Sequence, residues 1–139
     1  MHAREILETC LYVNDLAVAR EFYTRVLGLT FYSEQTERHL FFRCGARMFL
    51  LFNPQVSSQF DGLLPPHGSY GTGHVCFAAR EQELDAWLAH LAQQHVPLEL
   101  DYHWPGGGRS LYFRDPAGNL LEIATPKIWR IEEPTSESK

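Results

Sequence analysis

Apolar and polar positions along the chain fall into a pattern that occurs twice. Residues 6–13 (ILETCLYV) alternate as a strand does, with Glu8, Cys10 and Tyr12 on one face and Thr9, Leu11 and Val13 on the other. Asn14-Asp15 then caps a predicted helix with apolar positions at Leu16, Ala19, Phe22, Tyr23, Val26 and Leu27, and Gly28 stops it. Strand-like runs follow at 30–33, 39–44 and 47–53, the last two joined by a tight turn at Gly45-Ala46. After a linker over 54–72 rich in Pro, Gly and Ser, the pattern restarts. Residues 73–79 (GHVCFAA) form a strand, and Leu84, Trp87, Leu88 and Leu91 mark a helix over about 82–94. Strands at 97–102, 109–113 and 120–125 complete the unit, the last pair joined by the turn-forming run Asp115-Pro116-Ala117-Gly118-Asn119.

The first halves of the two units align with an offset of about 66 residues, so Glu8 matches His74, Cys10 matches Cys76 and Phe22 matches Leu88. This predicts an α+β chain of two βαβββ modules, about 5–53 and 73–125, within one domain over 1–129. The segment 130–139, dominated by Glu, Pro, Thr and Ser, is expected to be a disordered tail.

Composition narrows the functions. The formal net charge is −5, from 12 Lys and Arg against 17 Asp and Glu, and the arginines are scattered among acids. A phosphate backbone needs a basic stripe, so nucleic acid is not expected as a partner. No apolar run approaches the roughly 20 residues of a membrane span, and no basic region with an apolar signal core precedes the first strand. Cys10, Cys44 and Cys76 are too few and odd in number for a disulfide framework. Together these predict a cytoplasmic protein.

Candidate chemistry sits on three strands. Strand alternation puts Glu8 on the face away from Leu11 and Val13, His74 on the face away from Val75 and Phe77, and Glu122 opposite Leu121 and Ile123. A carboxylate among apolar neighbours needs a cation or must protonate. Two readings follow from the residues. Either Glu8, His74 and Glu122 converge on a divalent metal, or the two carboxylates pair with arginines such as Arg43 or Arg109 and His74 is a satisfied core histidine.

The run 12–29 (YVNDLAVAREFYTRVLGL), the GHVCF run and 113–123 (FRDPAGNLLEI) together resemble the vicinal oxygen chelate superfamily over most of the chain. That superfamily includes glyoxalase I, fosfomycin-resistance proteins, extradiol dioxygenases, methylmalonyl-CoA epimerase and the metal-free bleomycin-resistance proteins. The resemblance implies the glyoxalase/bleomycin-resistance/dioxygenase fold, with the two modules forming a cupped mixed sheet. It also implies metal ligands at the first strand of each module and the last strand of the second, positions held here by Glu8, His74 and Glu122. The fourth ligand that glyoxalase I takes from the last strand of its first module falls within 49–53, where no carboxylate or histidine stands. Glu8, where three-ligand members usually carry histidine, makes manganese, zinc, nickel or magnesium candidates beside iron.

Members use the metal to chelate adjacent oxygens of a small-molecule substrate, which implies a lyase, isomerase or dioxygenase. They commonly form homodimers with sites across the interface. The bleomycin-resistance branch supplies the alternative of a metal-free protein that sequesters a drug-like molecule. His103, ahead of the loop 105–108, is a candidate acid or base if that loop bends over the open face of the sheet. Gly106-Gly107-Gly108 lacks the features of a phosphate cradle and reads as a flexible loop. Arg43, Arg47, Arg109 and Arg114 are candidate anion ligands, and Tyr12, Phe42, Phe49, Phe52, Trp104 and Tyr112 are divided between core and pocket. The linker, with Phe60, His67 and Tyr70, reads as a lid or a dimer arm.

Overall fold

A computed structural model describes residues 1–133. The described chain divides into two compact units, one of residues 1–73 and one beginning at His74, the boundary between the two sequence repeats.

In the first unit, β1 (Glu8–Tyr12) leads into α1 (Leu16–Arg25), followed by β2 (Thr30–Gln35), β3 (His39–Cys44) and β4 (Arg47–Phe52). The Asp15 side chain accepts a hydrogen bond from the Val18 amide at 3.0 Å, which satisfies one free donor of the first turn. Gly28, at φ 63°, ends the helix, and the Leu29 amide reaches back to the Tyr23 carbonyl at 3.2 Å. Ala19, Phe22, Tyr23 and Val26 are buried, the i, i+3, i+4, i+7 stripe that the sequence predicts. The Tyr23 ring lies 5.1 Å from Phe49 and 6.1 Å from Phe42, tying the helix to β4 and β3. The sheet order is β1-β4-β3-β2, with β1 parallel to β4 and the other pairs antiparallel.

The linker is not a bare loop. Pro54–Ser57 form a short helix, α2, capped by Asn53, and the Ser57 carbonyl accepts the amide of His67 at 3.0 Å. His67 Nδ1 meets the Tyr12 hydroxyl at 2.8 Å, and its ring stands edge-on to Phe52 at 4.4 Å. The linker is thus fastened to the open face of the sheet in its own unit.

The second unit repeats the plan with β5 (His74–Ala78), α3 (Leu84–Gln93), β6 (Leu98–His103), β7 (Arg109–Arg114) and β8 (Leu120–Ala124). A 3-10 turn at Glu81–Glu83 leads into α3. The sheet order β5-β8-β7-β6 matches the first, again with its outer pair, β5 and β8, parallel. Leu84 and Leu91 of α3 are buried, as are Leu111, Phe113, Leu121 and Ile123 of the sheet.

Two turns set the strands that carry the site. Between β7 and β8, buried Asp115 accepts the Asn119 amide at 2.8 Å and its side-chain NH2 at 2.9 Å, which fixes the register of β8. Between β6 and β7, the run expected to be flexible closes as a bonded turn, with the Trp104 amide donating to the Gly108 carbonyl at 3.0 Å. A Cβ at Gly108 would lie 2.6 Å from Ile128 Cγ2, so only glycine lets the 3-10 turn Pro126–Trp129 approach. Within the expected tail, the Ile131 amide bonds the Pro126 carbonyl and Glu133 accepts the Glu81 amide. Its remainder, 134–139, lies outside the described residues. No helix among the described residues is long and apolar enough to cross a membrane.

Candidate functional site

His74 opens β5, and Glu122 sits mid-strand on β8. Parallel pairing aligns His74 with Leu120 and Cys76 with Glu122, which brings the two candidate ligands together. The His74 ring donates from Nδ1 to the Leu120 carbonyl at 2.9 Å, so in the neutral imidazole Nε2 presents its lone pair. That nitrogen lies 3.2 Å from Glu122 Oε2. Either a second ring proton or a bound cation satisfies this contact. A second ring proton would serve Oε2 alone, whereas Glu122 Oε1 is also buried and has no hydrogen-bond partner among the described residues. The Glu122 side chain is 7% exposed, so water does not compensate it freely. A divalent metal fits this donor set: one imidazole nitrogen and a carboxylate with a buried oxygen to spare. The donated Nδ1 proton is the kind of outer support that orients a ligating histidine.

The neighbouring groups stay protonated. Burial first, and the Glu122 carboxylate second, push the thiol of Cys76 up to about 12, although the residue keeps an exposed edge. Burial and the same carboxylate raise the Tyr112 hydroxyl. Neither group is a ready anion at neutral pH, in line with Cys76 as filler and not nucleophile.

Glu8 belongs to the first unit. It is exposed at the start of β1, on the face it shares with Cys10 and Tyr12, while Leu11 on the other face is buried. Its strand partner is Met48, and Cys10 pairs with Leu50. Comparison of the two registers makes Glu8 the counterpart of His74 and Leu50 the counterpart of Glu122. The fourth position that glyoxalase I fills is therefore held by a buried leucine. Among the described residues no group of three His, Cys, Asp or Glu side chains is gathered as a metal requires. The second unit supplies two members of the expected set.

Beside the pair lies a cavity of about 390 Å³ lined by Glu99, Leu100, Tyr102, Trp104, Tyr112 and Leu120. Cross-strand register runs Leu100, Tyr112, Glu122, Cys76 in one row across the open face of the sheet. The cavity thus adjoins Glu122 through Tyr112. Of the aromatic residues that sequence leaves divided, Trp104 and Tyr112 line this cavity, while Phe42, Phe49 and Phe52 are buried. Leu100, Tyr102 and Leu120 were not singled out by sequence; alternation back from Trp104 was the available signal for the first two, obscured by a bulge between Leu98 and Leu100.

His103 is placed differently. It ends β6, is 70% exposed, pairs in register with Arg109, and its Nε2 lies 3.9 Å from Asp101. Its chain neighbours Tyr102 and Trp104 line the cavity and it does not. The loop after it forms a tight turn, with the Gly107 amide donating to the Trp104 carbonyl at 2.9 Å. The candidate arginines are engaged as well. Arg109 bonds Asp101 and Asp85, Arg114 bonds Glu99, Arg47 pairs with Glu5, and Arg43 stands over the Tyr32 ring at 4.6 Å. With Arg109 held elsewhere, the alternative of an Arg109 partner for Glu122 fails.

Two mixed sheets of identical strand order, each after a βαβββ module, with an imidazole and a carboxylate on the parallel strand pair, define a class. The chain belongs to the glyoxalase/bleomycin resistance protein/dioxygenase superfamily, whose model matches residues 5–123. This is the superfamily its motifs resemble. The crystal structure of a lactoylglutathione lyase from Agrobacterium tumefaciens is similar, with 40% identity over 93% of this chain and 98% of that one and a TM-score of 0.89. A Bacillus subtilis (strain 168) protein named as a ring-cleaving dioxygenase, MhqE, is 40% identical over 63 residues, 42% of this chain and 19% of that protein. The match thus spans about a fifth of that relative. The fosfomycin resistance protein FosX from Listeria monocytogenes shares the fold at 16% identity, with a TM-score of 0.69 over 94% of this chain and 98% of that one.

Proposed function

We infer that this protein is a metal-dependent enzyme, of lyase, isomerase or dioxygenase type, acting on a small substrate that presents adjacent oxygens. Glu8, His74 and Glu122 would hold the metal, the site being built across the interface of a homodimer. The observation that carries this reading is Glu122: a buried carboxylate whose Oε1 has no hydrogen-bond partner among the described residues and whose Oε2 lies 3.2 Å from His74 Nε2. A bound divalent ion would supply Lewis-acid polarisation of a substrate oxygen.

The chain's own residues do the rest. Leu120 fixes the His74 tautomer through its carbonyl, the Asp115 turn fixes the height of Glu122, and the apolar wall beside Tyr112 receives the body of the substrate. His103 is given no proton-transfer role, because its exposed position lies off the cavity. Similarity over nearly the whole chain to a lactoylglutathione lyase supports an enzyme in preference to a sequestering protein.

Thermal unfolding of chelator-stripped protein tests the reading. Manganese, zinc, iron(II), nickel or magnesium at about a hundredfold over its Kd should add about 2.7 kcal/mol of stability. The same addition should leave Glu122→Gln and His74→Ala unmoved. If none of the five ions shifts the wild-type transition, the metal reading fails and a metal-free binding protein replaces it.

A further inference from the structure

We propose that the cavity beside Glu122 is a slot for a planar aromatic ring, with Trp104 as the residue that selects for it. This deepens the proposed function by naming the substrate class, and it rests on that reading only for where the oxygen end of the substrate lies. The cavity, at about 390 Å³, falls within the roughly 300–1,000 Å³ typical of small-molecule clefts.

Its wall is aromatic and preset. The Trp104 indole N–H donates to Ser110 Oγ at 2.8 Å, and Ser110 is fully buried, so the indole plane is held before anything binds. Tyr102 stands edge-on to that ring, with centroids 4.9 Å apart. Leu100, Leu120 and Tyr112 supply the remaining surface, and Tyr112 leads to Glu122 in the same cross-strand row. Rings held at right angles accept a third ring by stacking on one and meeting the edge of the other.

Aromatic walls also hold organic cations, and here charge decides between the two. Glu99, the acid lining the cavity, is held by both Arg114 Nε and Nη2, at 2.7 and 2.9 Å. Its charge is therefore matched already. An uncharged ring is the better occupant, with its oxygen substituents directed along the row toward Glu122.

The test uses 2-naphthoate and its saturated counterpart decahydro-2-naphthoate, equal in charge and close in size, titrated calorimetrically into wild type, Trp104→Leu, Tyr102→Leu and Trp129→Leu, each with and without manganese. Wild type should bind naphthoate about tenfold more tightly than the saturated acid. Trp104→Leu should lose most of that preference, Tyr102→Leu part of it, and Trp129→Leu none. Because Trp104 and Tyr102 are each more than a third exposed, both variants are expected to fold. Equal binding of the two acids to wild type, or a preference that survives Trp104→Leu, overturns the inference even if manganese binds. A preference for naphthoate in protein that binds none of manganese, zinc, iron(II), nickel and magnesium upholds the aromatic slot and overturns the proposed function alone.

Discussion

His39 shows how a single side chain reports its surroundings. Its ring stacks on Phe41 with centroids 4.1 Å apart, and the Arg38 guanidinium donates to Nδ1 at 2.9 Å. Burial and then the Arg38 charge lower its pKa, so the fold prefers the neutral ring. Above the ordinary imidazole value of about 6.5 both folded and unfolded chains carry it neutral; below that value the unfolded chain takes up the proton first, and stability is lost as pH falls through the lower folded value. His39→Phe keeps the stacking and removes the titration. Urea unfolding of the two proteins should therefore differ by a constant above pH 7, and the wild type should lose ground as pH falls toward 5. A difference that does not change over that range would contradict this. At the same scale, Glu122 was legible in the sequence because a lone carboxylate interrupts an apolar strand. Leu50 as its counterpart was not, because only the parallel registers of β1 with β4 and β5 with β8 relate the two positions.

Elements were legible where local chemistry decides them. The Asp15 cap, the stripe from Ala19 to Val26 and the Gly28 stop all lie within a few residues of what they control. Asp15→Ala should cost about 1 kcal/mol in chemical denaturation, the usual value of a helix cap. The turn from Asp115 to Asn119 was equally legible, but its consequence was not. Two bonds into a buried aspartate set the register that brings Glu122 level with Cys76 and Tyr112. Asp115→Ala should cost about 2 kcal/mol by stranding the Asn119 donors, and should also weaken metal uptake although Asp115 is no ligand. Unchanged metal affinity in a folded variant would show that β8 holds its register without the turn. The linker was the least legible element. Helix α2 is four residues long, too short for a periodic signal, and the docking of His67 on Tyr12 joins residues 55 apart in sequence. Asn53-Pro54 is a local start signal for α2, whereas no local pattern announced the docking of His67.

At the scale of the molecule, the duplicated pattern was the strongest signal in the sequence, and the structure carries it as two units with the same strand order and the same parallel outer pair. Duplication also explains why chemistry is uneven between them. Equivalent positions diverged to Glu8 and His74, and to Leu50 and Glu122, so one unit holds a complete imidazole and carboxylate pair while the other retains a single candidate ligand. A site completed across a homodimer interface predicts a light-scattering mass of twice 16.0 kDa. A monomer that still binds metal through all three residues would remove the shared-site reading and leave the ligands. The most direct test is elemental mass spectrometry on tag-free wild type beside Glu8→Ala, His74→Ala and Glu122→Ala. About one divalent ion per chain in wild type, lost in each variant, is the expected result for a three-ligand centre. Wild type that stays empty after incubation with manganese, zinc, iron, nickel and magnesium, or variants that keep the ion, would contradict it.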